Sequence, residues 1–71
     1  MKLSARNQLR GKVKSIKRGA VMSEVVVTLD QGSDDVVAAI TLGSVDRLKL
    51  KEGSPVTVII KSTEIMLATD E

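Results

Sequence analysis

Two stretches of the chain, Val25-Val26-Val27 and Val36-Val37-Ala38-Ala39-Ile40, are apolar at every consecutive position. Branched side chains suit a pleated strand, but a strand with one face in water alternates apolar and polar residues. Strands apolar on both faces need cover on both. A chain of 71 residues makes one domain and buries only about 60% of the surface that its unfolded form exposes. Such a domain has one interior, so the second apolar face calls for a partner. Disulfides or a structural metal are the other usual supports of a small domain. The chain has no Cys and no His. Disulfides are therefore excluded, and a zinc site built from carboxylates alone would be unusual. A second copy of the chain is the expected cover.

No linker, repeat or low-complexity segment divides residues 1–71, which read as a single domain. The expected class is all-β, with five strands at 7–18, 20–29, 36–41, 56–61 and 64–68. Leu9 and Val13 share a face of the first strand, whereas Ile16 has the opposite parity, which predicts a bulge near Lys14 or Ser15. DQGSDD carries hairpin-turn chemistry. GSVDRLKL predicts a short helix capped by Ser44 and ending before Gly53. Pro55 suits the first position of a strand, where its missing N–H does least harm. Five short strands with one helix between the third and fourth make a five-stranded OB-like barrel, although an SH3-like barrel gives much the same pattern. The segment MKLSARNQLRG has no apolar core of a signal peptide, and no apolar run approaches the roughly 18 residues that span a bilayer. No membrane association and a cytoplasmic location are expected.

Catalysis is not expected. There is no His or Cys to act as base or nucleophile, and Lys61 and Ser62, as strand neighbours, would point to opposite faces. Arg6, Arg10, Lys12, Lys14, Lys17 and Arg18 crowd the first quarter of the chain, and a basic stretch attracts nucleic acid, acidic partners or small anions. A small OB-like module for single-stranded nucleic acid is the alternative reading. It lacks support because base stacking needs aromatic rings, and the chain has none. A small oxyanion needs convergent N–H and O–H donors with one or two cations. Ser4 with Arg6, Thr41 with Ser44, and Lys61 with Ser62 are the candidates. All lie where a predicted strand starts or ends, which would gather them on one barrel rim. Each also has an ordinary reading: helix cap, strand residue or solvated cation.

The stretches SARNQLRGKV, GAVMSEVVVTL, AAITLGSVDRLKLKEG and VIIKSTEIMLA closely resemble the molbindins, the Mop family of small molybdate-binding proteins built from one TOBE-type domain. The resemblance runs in order from about residue 4 to 68. It implies a cytoplasmic protein that binds and stores molybdate or tungstate, with no organic cofactor and no metal cation held directly. It implies a homo-oligomer, a hexamer arranged as a trimer of dimers, with anions between subunits. Carried over residue by residue, Ser4, Arg6, Lys61 and Ser62 of one chain meet Thr41 and Ser44 of a neighbour. Backbone amides around Gly19–Met22 would serve further sites near a three-fold axis. Asn7 is expected to tie the chain to its first strand, and Asp34 and Asp35 to lie away from the anion.

Overall fold

In the computed structural model, which describes residues 1–70, the elements run β1 (Asn7–Arg18), β2 (Met22–Leu29), β3 (Asp35–Thr41), α1 (Leu42–Arg47) and β4 (Pro55–Ile60), followed by a 3₁₀ turn at Ser62–Glu64. The four strands form one antiparallel sheet in the order β3-β2-β1-β4. β1 serves two partners. Its first half, from Asn7 to Lys12, pairs with β4, and the part from Gly11 to Arg18 pairs with β2. Where the two pairings overlap, β1 and β2 come so close that a Cβ on Gly11 would sit 2.6 Å from the Thr28 carbonyl oxygen. Only glycine fits there.

The predicted bulge is present. Val13 pairs with Val27 and Ser15 with Val26, so Lys14 is the extra residue. One added residue flips the side-chain parity, which returns Ile16 to the side of Val13. The buried core is four valines: Val13, Val25, Val27 and Val45. Ile16, Ile40, Leu50, Val56 and Val58 pack around them. Val45 comes from α1 and is fully buried, so the helix plugs the curled sheet. On the outer face the paired Val26 and Val37 lie side by side, with Val37 exposed. This is the second apolar face anticipated from VVV and VVAAI.

Three features differ from expectation. Residues 64–68 form no strand: they join no ladder among the described residues, and Met66 and Leu67 stand 92% and 95% exposed. Strand propensity is realised only against an edge, and after the 3₁₀ turn this segment meets none in its own subunit. Thr41, not Ser44, caps α1: its Oγ1 accepts the Ser44 N–H at 3.1 Å. β2 begins at Met22 because the Gly19 N–H donates to the Met22 carbonyl, folding residues 19–22 into a turn. The all-β, OB-like architecture with a helix before the last strand stands.

The surface is large for this mass. The subunit exposes 5,989 Å², about 1,700 Å² more than the roughly 4,300 Å² of a compact 7.6 kDa protein. Its radius of gyration is 13.1 Å, against about 11 Å for a compact domain of this length. Among the described residues no helix is long and apolar enough to cross a membrane.

Candidate functional site

The antiparallel pairing of β1 with β4 sets Asn7 opposite Ile60, so residues before β1 and after β4 leave the sheet side by side. Asn7 strengthens this join, its Nδ2 donating to the Ile60 carbonyl at 3.2 Å. The Gln8 side chain donates to the Ala5 carbonyl at 2.9 Å and holds the leading segment in place. Beyond β4, the Glu64 N–H bonds to the Lys61 carbonyl at 2.9 Å and closes the 3₁₀ turn.

Between these segments lies an open cleft of about 600 Å³ lined by Ser4, Ala5, Arg6, Asn7, Lys61, Ser62 and Thr63. Its lining has two cations, three hydroxyls and an amide, and no carboxylate. All the ionic and hydroxyl groups are exposed, and neither Arg6 nor Lys61 joins an ion pair among the described residues. Ser4, Arg6, Lys61 and Ser62, separated by over fifty positions in sequence, are thus neighbours. Thr63 was missed as a candidate, although it completes the IKST run with a third hydroxyl.

Thr41 and Ser44 are elsewhere. Thr41 pairs with Met22, beside the Arg18 end of β1, whereas Lys61 follows the residue paired with Asn7. A straight twelve-residue strand spans on the order of 35 Å, so the two donor groups lie at opposite ends of the same strand. The expectation of a single rim is corrected by this register. At their own end the Thr41 hydroxyl donates to Ser44 Oγ at 2.8 Å, leaving the Ser44 proton for an outside acceptor.

The remaining basic residues are partly neutralised. Lys14 meets Asp35 at 2.9 Å, Arg18 meets Asp46 at 3.0 Å, and Lys12 lies 3.9 Å from Asp30. The Lys14 ammonium, with the Thr28 hydroxyl assisting, holds the Asp35 carboxyl below its usual range. Asp35 and its neighbour Asp34 do not line the cleft. A second cleft of about 330 Å³, at Gln8, Leu9, Arg10, Leu29, Asp30 and Gln31, sets the Asp30 carboxylate beside the Arg10 guanidinium, so unlike the first it is not free of carboxylates. Of the amides implied near a three-fold axis, that of Gly19 is already used by the Met22 carbonyl. Among the described residues no three acidic side chains gather as a metal site.

The TOBE domain family matches residues 3–67. Molybdenum-pterin-binding protein 3 of Clostridium pasteurianum is 48% identical over 67 residues, covering 94% of this chain and 97% of that protein. A molybdate-binding protein from Sporomusa ovata superposes with a TM-score of 0.87 at 42% identity, over 97% of this chain and all of that one. The cytoplasmic molybdate-binding protein ModG, solved with molybdate bound, superposes with a TM-score of 0.83 at 42% identity. That match covers 87% of this chain and 43% of the longer ModG chain.

Proposed function

The chain belongs to the TOBE-domain family, and from that premise we propose that it binds and stores molybdate, or the similarly sized tungstate, between copies of itself in the cytoplasm. The observation that carries this reading is the carboxylate-free cleft in which Ser4, Arg6, Lys61 and Ser62 converge. The relatives named for molybdenum or molybdate, one of them cytoplasmic, support the ligand and the location. The role is binding, not catalysis.

Each group has a distinct task. Arg6 supplies a permanent charge and a planar fork of donors that spans two oxygens. Lys61 adds a point charge, and the Ser4 and Ser62 hydroxyls rotate onto the oxygens that remain. Hydrogen bonds to a charged group contribute about 1.5–3 kcal/mol each, so four to six offset the loss of hydration of a dianion. The cleft of about 600 Å³ is too wide for this alone, because a four-oxygen anion occupies only a few times the roughly 30 Å³ share of one water. Thr41 and Ser44 of a neighbouring chain close it. The proposed assembly is a hexamer, a trimer of dimers.

A cage made only of donors also selects. Near neutral pH molybdate is a dianion with acceptors alone, whereas phosphate always carries at least one proton. That proton finds no acceptor, at a cost of about 1–3 kcal/mol. Sulfate matches in charge and shape, and its smaller size must exclude it.

Native mass spectrometry with molybdate, sulfate, phosphate and a short oligonucleotide offered together tests the proposal. Molybdate on an oligomer is the expected outcome; a bound oligonucleotide with no oxyanion would reject it. In calorimetry Arg6→Ala is expected to weaken molybdate binding more than tenfold, about 1.4 kcal/mol, with the assembly intact. Unchanged affinity removes Arg6 from the site.

A further inference from the structure

Resting on the reading of the cleft as an oxyanion site, we propose that Gln8 is a positioning residue that sets which oxyanion the site accepts. It does so by holding the Ala5 carbonyl out of the cage. Ser4, Ala5 and Arg6 are consecutive, and all three line the cleft, whereas Gln8 does not. Gln8 stands exposed on β1, and its Nε2 reaches back to donate to the Ala5 carbonyl at 2.9 Å. The segment 1–6 makes no other hydrogen bond among the described residues. The direction of the Ala5 peptide, and with it the placing of Ser4 and Arg6 on either side, therefore depends on one side chain.

The opposite wall repeats this arrangement. The Ile60 carbonyl takes the Asn7 Nδ2 at 3.2 Å, and the Lys61 carbonyl takes the Glu64 N–H at 2.9 Å. With that of Ala5, three carbonyls at the walls have donors from the chain itself. The side chains of Ser4, Arg6, Lys61, Ser62 and Thr63, by contrast, make no hydrogen bond or ion pair among the described residues. Acceptors are occupied internally, and donors are left for a ligand.

Of the three bonds, the one to Ala5 is the one that a single exposed side chain can undo. The Lys61 bond is backbone to backbone, and the β1–β4 pairing holds Ile60 opposite Asn7 in any case. Without the Gln8 amide, the Ala5 carbonyl is free to turn toward the anion. To molybdate, which has only acceptors, a carbonyl oxygen is repulsive. To hydrogen phosphate it offers an acceptor for the proton that a cage of donors leaves unpaired. The same change therefore weakens one anion and helps the other. A mere loosening of the segment would displace Ser4 and Arg6 for both anions alike.

The experiment titrates the full chain with molybdate at fixed ionic strength, and reads inorganic phosphate by its displacement of molybdate, which reports weak binding. Mildly alkaline pH makes both anions dianions while phosphate keeps one proton. Gln8→Met keeps the side-chain length and removes the donor. Gln8→Thr is too short to reach Ala5, and its branched side chain suits a strand. Circular dichroism and sedimentation check that sheet and assembly persist. Wild type is expected to prefer molybdate. In both variants molybdate affinity is expected to fall about fivefold while phosphate affinity holds or rises, so the preference narrows by about fivefold or more. A preference within about twofold of wild type overturns the inference. That holds whether both affinities fall together, as the loss of a structural tie would cause, or neither moves. A wild-type chain that binds neither anion, or prefers phosphate, rejects the molybdate reading itself, and this inference with it.

Discussion

Ser23 lies on the inner face of β2 with Val25 and Val27, is 2% exposed, and its Oγ has no hydrogen-bond partner among the described residues. A buried hydroxyl without a partner costs about 1–3 kcal/mol in lost hydration. Ser23→Ala removes the hydroxyl and leaves little space behind. We expect it to raise stability by about 1 kcal/mol, read as a higher urea midpoint with an unchanged slope at one fixed protein concentration. A loss of stability would mean that the hydroxyl is bonded in the assembled protein. Ser23 could not have been singled out from sequence, since a serine in a valine-rich strand gives no sign of which way it faces. Arg6, taken alone, reads equally as a solvated cation; what the structure adds is that it lines the same cleft as Ser4, Lys61 and Ser62. Thr63 was not legible, because a hydroxyl after a predicted strand usually faces solvent.

Among the elements, α1 shows how local chemistry and packing share the work. It is only six residues long, too short to persist alone. Its ends are nevertheless closed. Thr41 caps the start, and at the finish the Leu50 N–H reaches the Val45 carbonyl while the Lys49 N–H reaches that of Asp46, both at 3.1 Å. This is the Schellman arrangement, and Leu50 packs against the valine core that includes Val45, as the motif prefers. The position in the left-handed conformation is Lys49, with φ 54°, where glycine is usual. A side chain there costs roughly 1–2 kcal/mol, partly offset by the greater unfolded-state freedom of glycine. Lys49→Gly is therefore expected to stabilise by about 0.5–1 kcal/mol, and a lower thermal midpoint would contradict it. The helix and the Lys14 bulge were legible because each leaves a local trace, a cap residue or a break in parity. Residues 64–68 carry strand propensity in sequence but join no ladder among the described residues. Which edge a strand joins depends on residues far away in sequence, so propensity alone does not make one.

For the whole molecule, the distance between the donor groups decides the behaviour. Ser4, Arg6, Lys61 and Ser62 gather at one end of β1, and Thr41 and Ser44 stand at the other. The strand register that separates them could not be read before β1 was known to serve two partners, so the one-rim arrangement that strand ends suggested does not hold within a subunit. If one anion needs both groups, it needs two chains. Binding and assembly then share one free energy, and each must raise the other by the same factor. Diluting the protein below its dissociation range lowers the fraction of complete sites, and apparent affinity falls in proportion. Conversely, free molybdate at 100 times its dissociation constant stabilises the assembled form by about 2.7 kcal/mol per site. That corresponds to roughly a hundredfold change in an association constant for each site filled. We expect sedimentation of dilute protein to shift from subunit to oligomer on adding molybdate, and not on adding sodium chloride at equal ionic strength. An exposed cleft that attracted anions by charge alone would respond to salt and leave assembly unchanged. A subunit shown to be monomeric, yet binding molybdate as tightly as the oligomer, would place the whole site within one chain.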